Sequence, residues 1–378
     1  MIERQQQQSI EKLLGSRKAI IILGARQVGK STLLNQLFDQ REGVMWLNGD
    51  DWDVRQLLAD MTSTRIKALI GANHWVVIDE AQRIPDIGLR LKLITDQVPG
   101  VQVVATGSSS FQLASQVNEP LTGRKREFHI FPLTYQEMTA HTNLLEEHRM
   151  IPHRMVYGYY PEVVTSPGEE QTVLRELSNS YLYKDILSLD SISKPNKLTM
   201  LLQALARQIG EQVSYNEVGQ LIGLSPKTVE RYIDVLEKSF IIFRLGSFSR
   251  NLRNELKASR KIYFWDLGIR NAVIANFQQV ENRLDTGALW ENFVIAERMK
   301  MLNTQERFCN SWFWRTQQQQ EIDLVEEENG ALRAFEFKWN PKKGKANIPA
   351  SFAKAYPHAT YTIVTPDNVD DFLLPITT

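Results

Sequence analysis

The stretch GARQVGKS, residues 24–31, constrains this chain more than any other. It fits the pattern G-x-x-x-x-G-K-[ST]. An apolar run, KAIIILG (18–24), precedes it and a helical pattern, STLLNQLF (31–38), follows. A strand, a glycine-rich turn and a helix in that order make a cradle for phosphate, because backbone N–H groups close around the oxyanion at a helix N-terminus. Gly24, Ala25, Arg26, Gln27, Val28, Gly29, Lys30, Ser31 and Thr32 are the expected binding residues. Lys30 is placed to reach β- and γ-phosphates, and the Ser31 hydroxyl to hold Mg2+.

Further apolar runs end in turn residues: VMWLN (44–48), WVVIDE (75–80), VQVVATG (101–107) and EFHIFPL (127–133). Helical patterns such as IGLRLKLITDQV (87–98) lie between them. Strands alternating with helices predict an α/β fold with a parallel sheet covered on both faces. WVVIDE supplies Asp79 where a buried strand ends, the edge at which parallel sheets bind ligands. Asp79 is expected on Mg2+ and Glu80 on the attacking water. The alternative is an acidic pair that only caps a loop. From about residue 141 the pattern turns helical, from 196 to 245 it is helix–turn–helix, and beyond that strands mix with one strong helix over 287–303. The expected divisions are 1–140, 141–195, 196–268 and 269–378.

GARQVGKS, VVIDEAQ, ATGSSS, LTGR and GYYPEVV, in that order, resemble a bacterial and archaeal branch of the AAA+ ATPases that carries a C-terminal extension. The resemblance implies ATP as the nucleotide and a five-stranded parallel P-loop core of order 5-1-4-3-2. It also implies a helical lid starting near Pro161 of GYYPEVV, although Tyr157-Gly158 stands where the family usually has two adjacent glycines. Thr106 and Ser108 match the sensor position that reads the γ-phosphate. Arg124 in LTGR matches an arginine finger offered to a neighbouring subunit, which implies a homo-oligomer; the plain alternative is a surface arginine in the basic run RKR.

VSYNEVGQLIGLSPKTVERYIDVLEKSFIIFRL (213–245) reads as two helices separated by a turn. Ser214 and Glu217 form a capping signal, Gly223 ends the first helix, and Ser225-Pro226 starts the second. Val229, Ile233 and Leu236 face the core, leaving Lys227, Thr228, Glu230 and Arg231 outside, as in a recognition helix for a major groove. The next segment forms a wing whose Arg250, Arg253, Lys257, Arg260 and Lys261 suit phosphate contacts. A winged helix is equally a packing or protein-interaction module, so DNA is one expected partner of this element and protein the other.

EIDLVEEENGALRAFEFKW (321–339) centres on Asn329-Gly330, a strong hairpin signal. With that turn, Asp323 faces Glu336 and Glu321 faces Lys338, while Ile322, Leu324, Phe335, Phe337 and Trp339 form a core face. Two opposed acids repel unless a cation lies between them. A divalent ion held by hard oxygens, Mg2+ or Mn2+, would answer this. Asp followed by Glu-x-Lys on a hairpin resembles the PD-(D/E)xK nuclease core. That resemblance implies an α/β restriction-endonuclease-like domain in which Asp323, Glu336 and the Phe337 carbonyl bind metal. It further implies that Lys338 assists the nucleophile and that Glu291, on the preceding helix, completes the site. The alternative is a solvated polar face.

Composition narrows the rest. The 378 residues carry 44 basic and 44 acidic side chains, so any nucleic-acid affinity must be local. The single cysteine, Cys309, excludes an internal disulfide framework, and the polar N-terminus does not read as a signal peptide; both point to the cytoplasm. No apolar run approaches a membrane span. The expected activity is ATP hydrolysis coupled to DNA binding, with or without cleavage. A regulatory switch that binds DNA or protein without cutting is the alternative, and a small-molecule kinase fits less well.

Overall fold

A computed structural model describes all residues except 1, 60, 109–116, 118–119, 185–193, 250–259, 341, 343–346 and 375–378. The chain divides into two units, residues 1–132 with 238–240, and residues 133–237 with 241–378.

In the first unit every apolar run becomes a strand. These are β1 (Ala19–Gly24), β2 (Val44–Asn48), β3 (Trp75–Asp79), β4 (Gln102–Gly107) and β5 (Lys125–Ile130). They pair in parallel in the order β2-β3-β4-β1-β5, which is the expected 5-1-4-3-2 read from the other edge. The two strands with apolar or small residues at nearly every position, β1 and β4, are buried along their whole length, and the more polar β2 and β5 take the edges. Helices α1 (Gln6–Glu11), α2 (Lys30–Phe38), α3 (Trp52–Ala59), α4 (Ser63–Ile70) and α5 (Ile87–Gln97) accompany them among the described residues. The phosphate loop leaves β1 where Gly24 passes so close to the Ile130 carbonyl that any Cβ would overlap it.

The second unit begins with α6 (Tyr135–His141), α7 (Leu144–Tyr157), α8 (Pro161–Thr165) and α9 (Glu170–Lys184). Then come α10 (Pro195–Arg207), β6 (Gln212–Val213), α11 (Tyr215–Ile222) and α12 (Pro226–Lys238). β7 (Ile242–Ser247), β8 (Arg260–Phe264), α13 (Leu267–Val273) and α14 (Thr286–Thr304) follow. The last elements are β9 (Asn310–Arg315), β10 (Glu321–Glu328), β11 (Ala331–Phe337), α15 (Ala350–Ala355), β12 (Thr360–Val364) and α16 (Val369–Leu373). The helix–turn–helix forms as read. Ser214 Oγ accepts from Glu217 N, Gly223 is left-handed, and Ser225 Oγ accepts from Thr228 N before Val229, Ile233 and Leu236 bury. Lys227, Glu230 and Arg231 are exposed, and Thr228 is half-buried against Ser225.

The strands of this unit form one seven-stranded sheet, β12-β11-β10-β9-β7-β8-β6. The sheet runs straight across the division expected near 268, because β7 and β9 pair in parallel through Gly246–Trp312 and Ser247–Phe313. The helical segment 141–195 belongs to the same unit. Tyr159 N donates to Asp266 Oδ2 (2.6 Å), and Asn271 Nδ2 donates to the Met155 and Val156 carbonyls (3.0 and 2.8 Å). Pro161 does begin a helix, as GYYPEVV suggested.

The Asn329-Gly330 hairpin has the predicted register, with Leu324 opposite Phe335 and Glu328 opposite Ala331. Both turn residues have positive φ, 51° and 80°, as a primed turn requires. One expectation fails. The β10–β9 ladder slips between Ile322 and Val325, and this bulge turns Ile322 away from Leu324. Ile322 joins Val325, Trp314, Ala334 and Phe352 in one core cluster, while Phe335 and Phe337 pack on Phe372.

Candidate active sites

Two clusters of functional side chains form, one in each unit. In the first, the carboxyl ends of β3 and β4 lie side by side next to the phosphate loop that leaves β1. Lys30 is buried, its ammonium donating to the Gly24 and Ala25 carbonyls (3.0 and 2.6 Å). Ser31 Oγ donates to Asp79 Oδ2 (2.7 Å), so the hydroxyl and carboxylate expected to share Mg2+ stand together as hard oxygen donors. The Thr106 hydroxyl donates to Asp79 Oδ1 and accepts the Glu80 N–H (3.2 Å). Glu80 itself takes a left-handed backbone, φ 48°, at the entry to a turn over Ala81–Arg83, which is strain of the kind that functional sites store.

Gln82 was missed by sequence reasoning. Its Nε2 donates to Glu80 Oε2 (2.5 Å) and Ser108 Oγ (3.0 Å). Thr106 and Ser108 thus hold the Asp79-Glu80 pair, one directly and one through Gln82. The signal was the amide two residues after Glu80 in VVIDEAQ.

Arg124 stands apart from this cluster. It precedes β5 at the end where Lys125 aligns with Ala19, whereas the phosphate loop follows the end where Ile130 aligns with Gly24. A strand of this length puts about 20 Å between the two edges. Arg124 is ion-paired with Asp96 (2.8 Å) and about half exposed.

The second cluster answers the puzzle of the opposed acids differently from the expectation. Asn292 of α14 clamps the Phe264 backbone of β8 through both its amide atoms, at 2.8 Å each. That brings Glu291 against the β8 side chains. Lys261 Nζ pairs with Glu291 Oε1 (3.0 Å) and with Glu321, and the Tyr263 hydroxyl donates to Glu291 Oε1 (2.6 Å). Lys261, expected as an exposed wing residue, is 1% exposed. Arg250, Arg253 and Lys257 lie outside the described residues. Glu321 pairs with Lys261 and Arg315, and Lys338 donates to Glu336 Oε1 (2.6 Å), two residues back along its own strand. Asp323 sits at the bulge, where Oδ2 accepts the Phe337 N–H (2.8 Å) that the ladder leaves free.

The charges explain the titration. Burial raises the Asp323 carboxyl well above the usual carboxylate range, and the charges of Glu291 and Glu336 add to it against the opposing pull of Lys261. Burial would depress the Lys261 ammonium, but Glu291, Asp323 and Glu321 together outweigh it and hold the pKa above the ordinary lysine value. Glu336 Oε2 is buried without a hydrogen-bond partner. Yet among the described residues no three acidic, His or Cys side chains are gathered closely enough to hold a metal ion. The carboxylate that would complete such a set, Glu291, is turned to Lys261 and Tyr263.

The fold and the first cluster define the class: the first unit has the five-stranded parallel sheet and phosphate loop of a P-loop nucleotide-binding domain, and it is similar to AAA domains. A family model described as an AAA domain matches residues 16–139. Two domains of unknown function match residues 148–280 and 286–377. The first of these joins the helical segment to the helix–turn–helix, as the structure does. The chain is similar, at 25% identity, to an uncharacterized protein of Mycobacterium tuberculosis, over 87% of this chain and 72% of that one. It is 22% identical to an uncharacterized protein of Methanocaldococcus jannaschii over 76% and 68% of the two chains. Among solved structures, the Aeropyrum pernix ORC1 protein in complex with DNA aligns at TM-score 0.32 and 14% identity over 71% of this chain and 91% of that one. Cdc6p from Pyrobaculum aerophilum aligns at 0.30 and 15% over 72% and 94%. Among the described residues no helix is long and apolar enough to cross a membrane.

Proposed function

We propose that the protein hydrolyses ATP with Mg2+ and couples its nucleotide state to DNA binding by the second unit. The observation that carries the hydrolytic part is the chain Ser31–Asp79–Thr106–Glu80–Gln82–Ser108 beside the phosphate loop. In this reading Lys30 holds the β- and γ-phosphates, and Ser31 and Asp79 hold the metal, which neutralises charge on the phosphates. Glu80, aimed by Gln82, orients the attacking water, and Thr106 and Ser108 register the γ-phosphate. Arg124 serves the site of a second copy, since it lies at the far edge from its own loop. Lys227 and Arg231 on α12 are the groups offered to DNA phosphates and bases.

Asp323 and Glu336, with the Phe337 carbonyl, would hold Mg2+ for phosphodiester cleavage, with Lys338 placed to orient the nucleophile. The buried, unpartnered Glu336 Oε2 supports this. Glu291 would join only on leaving Lys261. That same pairing favours a second reading, in which DNA or a protein is bound but not cut, because Lys261 already engages Glu291 and Glu321 and Lys338 already engages Glu336. One experiment separates the two. ATPase, DNA-binding and nuclease assays are run together on the unaltered chain, Lys30→Ala and Lys338→Ala, with Mg2+ and with Mn2+. The cutting reading expects nicked or shortened DNA that Lys338→Ala abolishes. ATP turnover with every DNA form intact rejects it, and absence of ATP turnover rejects the proposal as a whole.

A further inference from the structure

Arg4 lies outside every motif read from the sequence, yet it is buried to 7% exposure against the phosphate loop. Its Nη1 donates to the Val28 carbonyl (3.0 Å) and its Nη2 to the Phe131 carbonyl (2.6 Å), just beyond β5. Val28 is the residue before Gly29 and Lys30 in GARQVGKS. A trans peptide is planar, so its C=O and N–H point in opposite directions. Holding the Val28 carbonyl on the Arg4 side therefore fixes the Gly29 N–H toward the other side. The second prong ties that peptide to Phe131, the residue that follows β5.

The segment carrying Arg4 is itself fastened. Gln6 Nε2 donates to the His129 carbonyl (2.7 Å). Further on, the Gln102 side chain accepts from Gly15 N (2.6 Å) and donates to the Leu13 and Lys18 carbonyls (3.1 and 2.9 Å). A guanidinium can span two carbonyls in one plane, which an ammonium cannot do.

We propose that Arg4 is a positioning residue of the nucleotide site. Acting through the Val28–Gly29 peptide, it pre-organises a loop N–H for the oxygens of a bound polyphosphate, and the assignment rests on the ATPase reading above. The test measures binding of a fluorescent ADP analogue, and ATPase kcat and KM, on the full chain with Arg4→Ala, Arg4→Lys and Gln6→Ala. Losing a charged hydrogen bond that shapes the loop predicts an affinity about tenfold weaker in Arg4→Ala, with KM rising more than kcat falls. Arg4→Lys keeps the charge without the fork and stays near Arg4→Ala. Gln6→Ala, which loosens the segment but leaves the fork, stays near the unaltered chain. Affinity in Arg4→Lys equal to that of the unaltered chain overturns the assignment, and this arm suffices if Arg4→Ala does not fold. An equal loss in Gln6→Ala overturns it too, leaving Arg4 as an anchor. Failure of the unaltered chain to bind the analogue overturns the ATPase reading instead, and this assignment with it.

Discussion

Lys261→Met tests the central electrostatic claim about the second unit. The ammonium is 1% exposed and bridges Glu291 and Glu321, whose side chains are 15% and 28% exposed. Removing one partner of a buried ion pair costs about 3–5 kcal/mol, because a charge stays buried without compensation. Here the carboxylates retain some contact with water, and Tyr263 still donates to Glu291 (2.6 Å), so the cost falls below that range, to about 2–3 kcal/mol. For domains of 150–250 residues each kcal/mol moves Tm by about 2–4 °C, so the transition of this unit falls by roughly 5–10 °C. The assay is thermal unfolding with and without Mg2+ or Mn2+, on Lys261→Met and on Lys261→Met combined with Glu291→Gln. The double variant recovers part of the loss, since it removes the stranded charge. A divalent ion raises Tm in Lys261→Met more than in the unaltered chain, since it can take the place of the ammonium. A single variant as stable as the unaltered chain refutes the reasoning, as does a loss that Glu291→Gln leaves unrelieved.

Other expected outcomes rest on equally local geometry. Arg124→Ala lowers ATPase kcat by about tenfold or more while leaving KM nearly unchanged, and the loss appears only at protein concentrations where copies associate; full turnover at all concentrations refutes the role in trans. Gly158→Ala destabilises the second unit by about 3 kcal/mol in a denaturant melt, because φ is 73° and the new Cβ would overlap the Asp266 carboxylate, whereas Gly168→Ala, at φ 90° in open space, costs about 1 kcal/mol. Burial alone would raise the Asp285 carboxyl, but the guanidiniums of Arg283 and Arg270 outweigh it and lower its pKa to about 2. A depressed carboxylate stabilises the fold above its unfolded pKa, so its contribution is lost as pH falls from about 4 toward 2 and is missing in Asp285→Asn, which unfolds with a flatter dependence there.

Features that depend on short-range spacing were legible in the residues alone. The five apolar runs, the phosphate loop, Asp79-Glu80 at a strand end, the two helices around Gly223 and the Asn329-Gly330 register all follow from residues within a few positions of one another. Their physics is local: periodicity selects helix or strand, and glycine permits positive φ. Which distant charges meet is set by long-range packing. Nothing near Lys261 announces that it will be buried between Glu291 and Glu321, because that juxtaposition needs β8, α14 and β10 in place together. Arg298 binding Glu326 with both prongs (2.8 and 2.9 Å) inside the same unit is legible only there, for the same reason. The bulge that sends Ile322 to another core is likewise a property of the β9 neighbour and not of the hairpin. Burial makes an unpaired charge costly, and the partner that relieves it can come from any part of the chain that folding brings near.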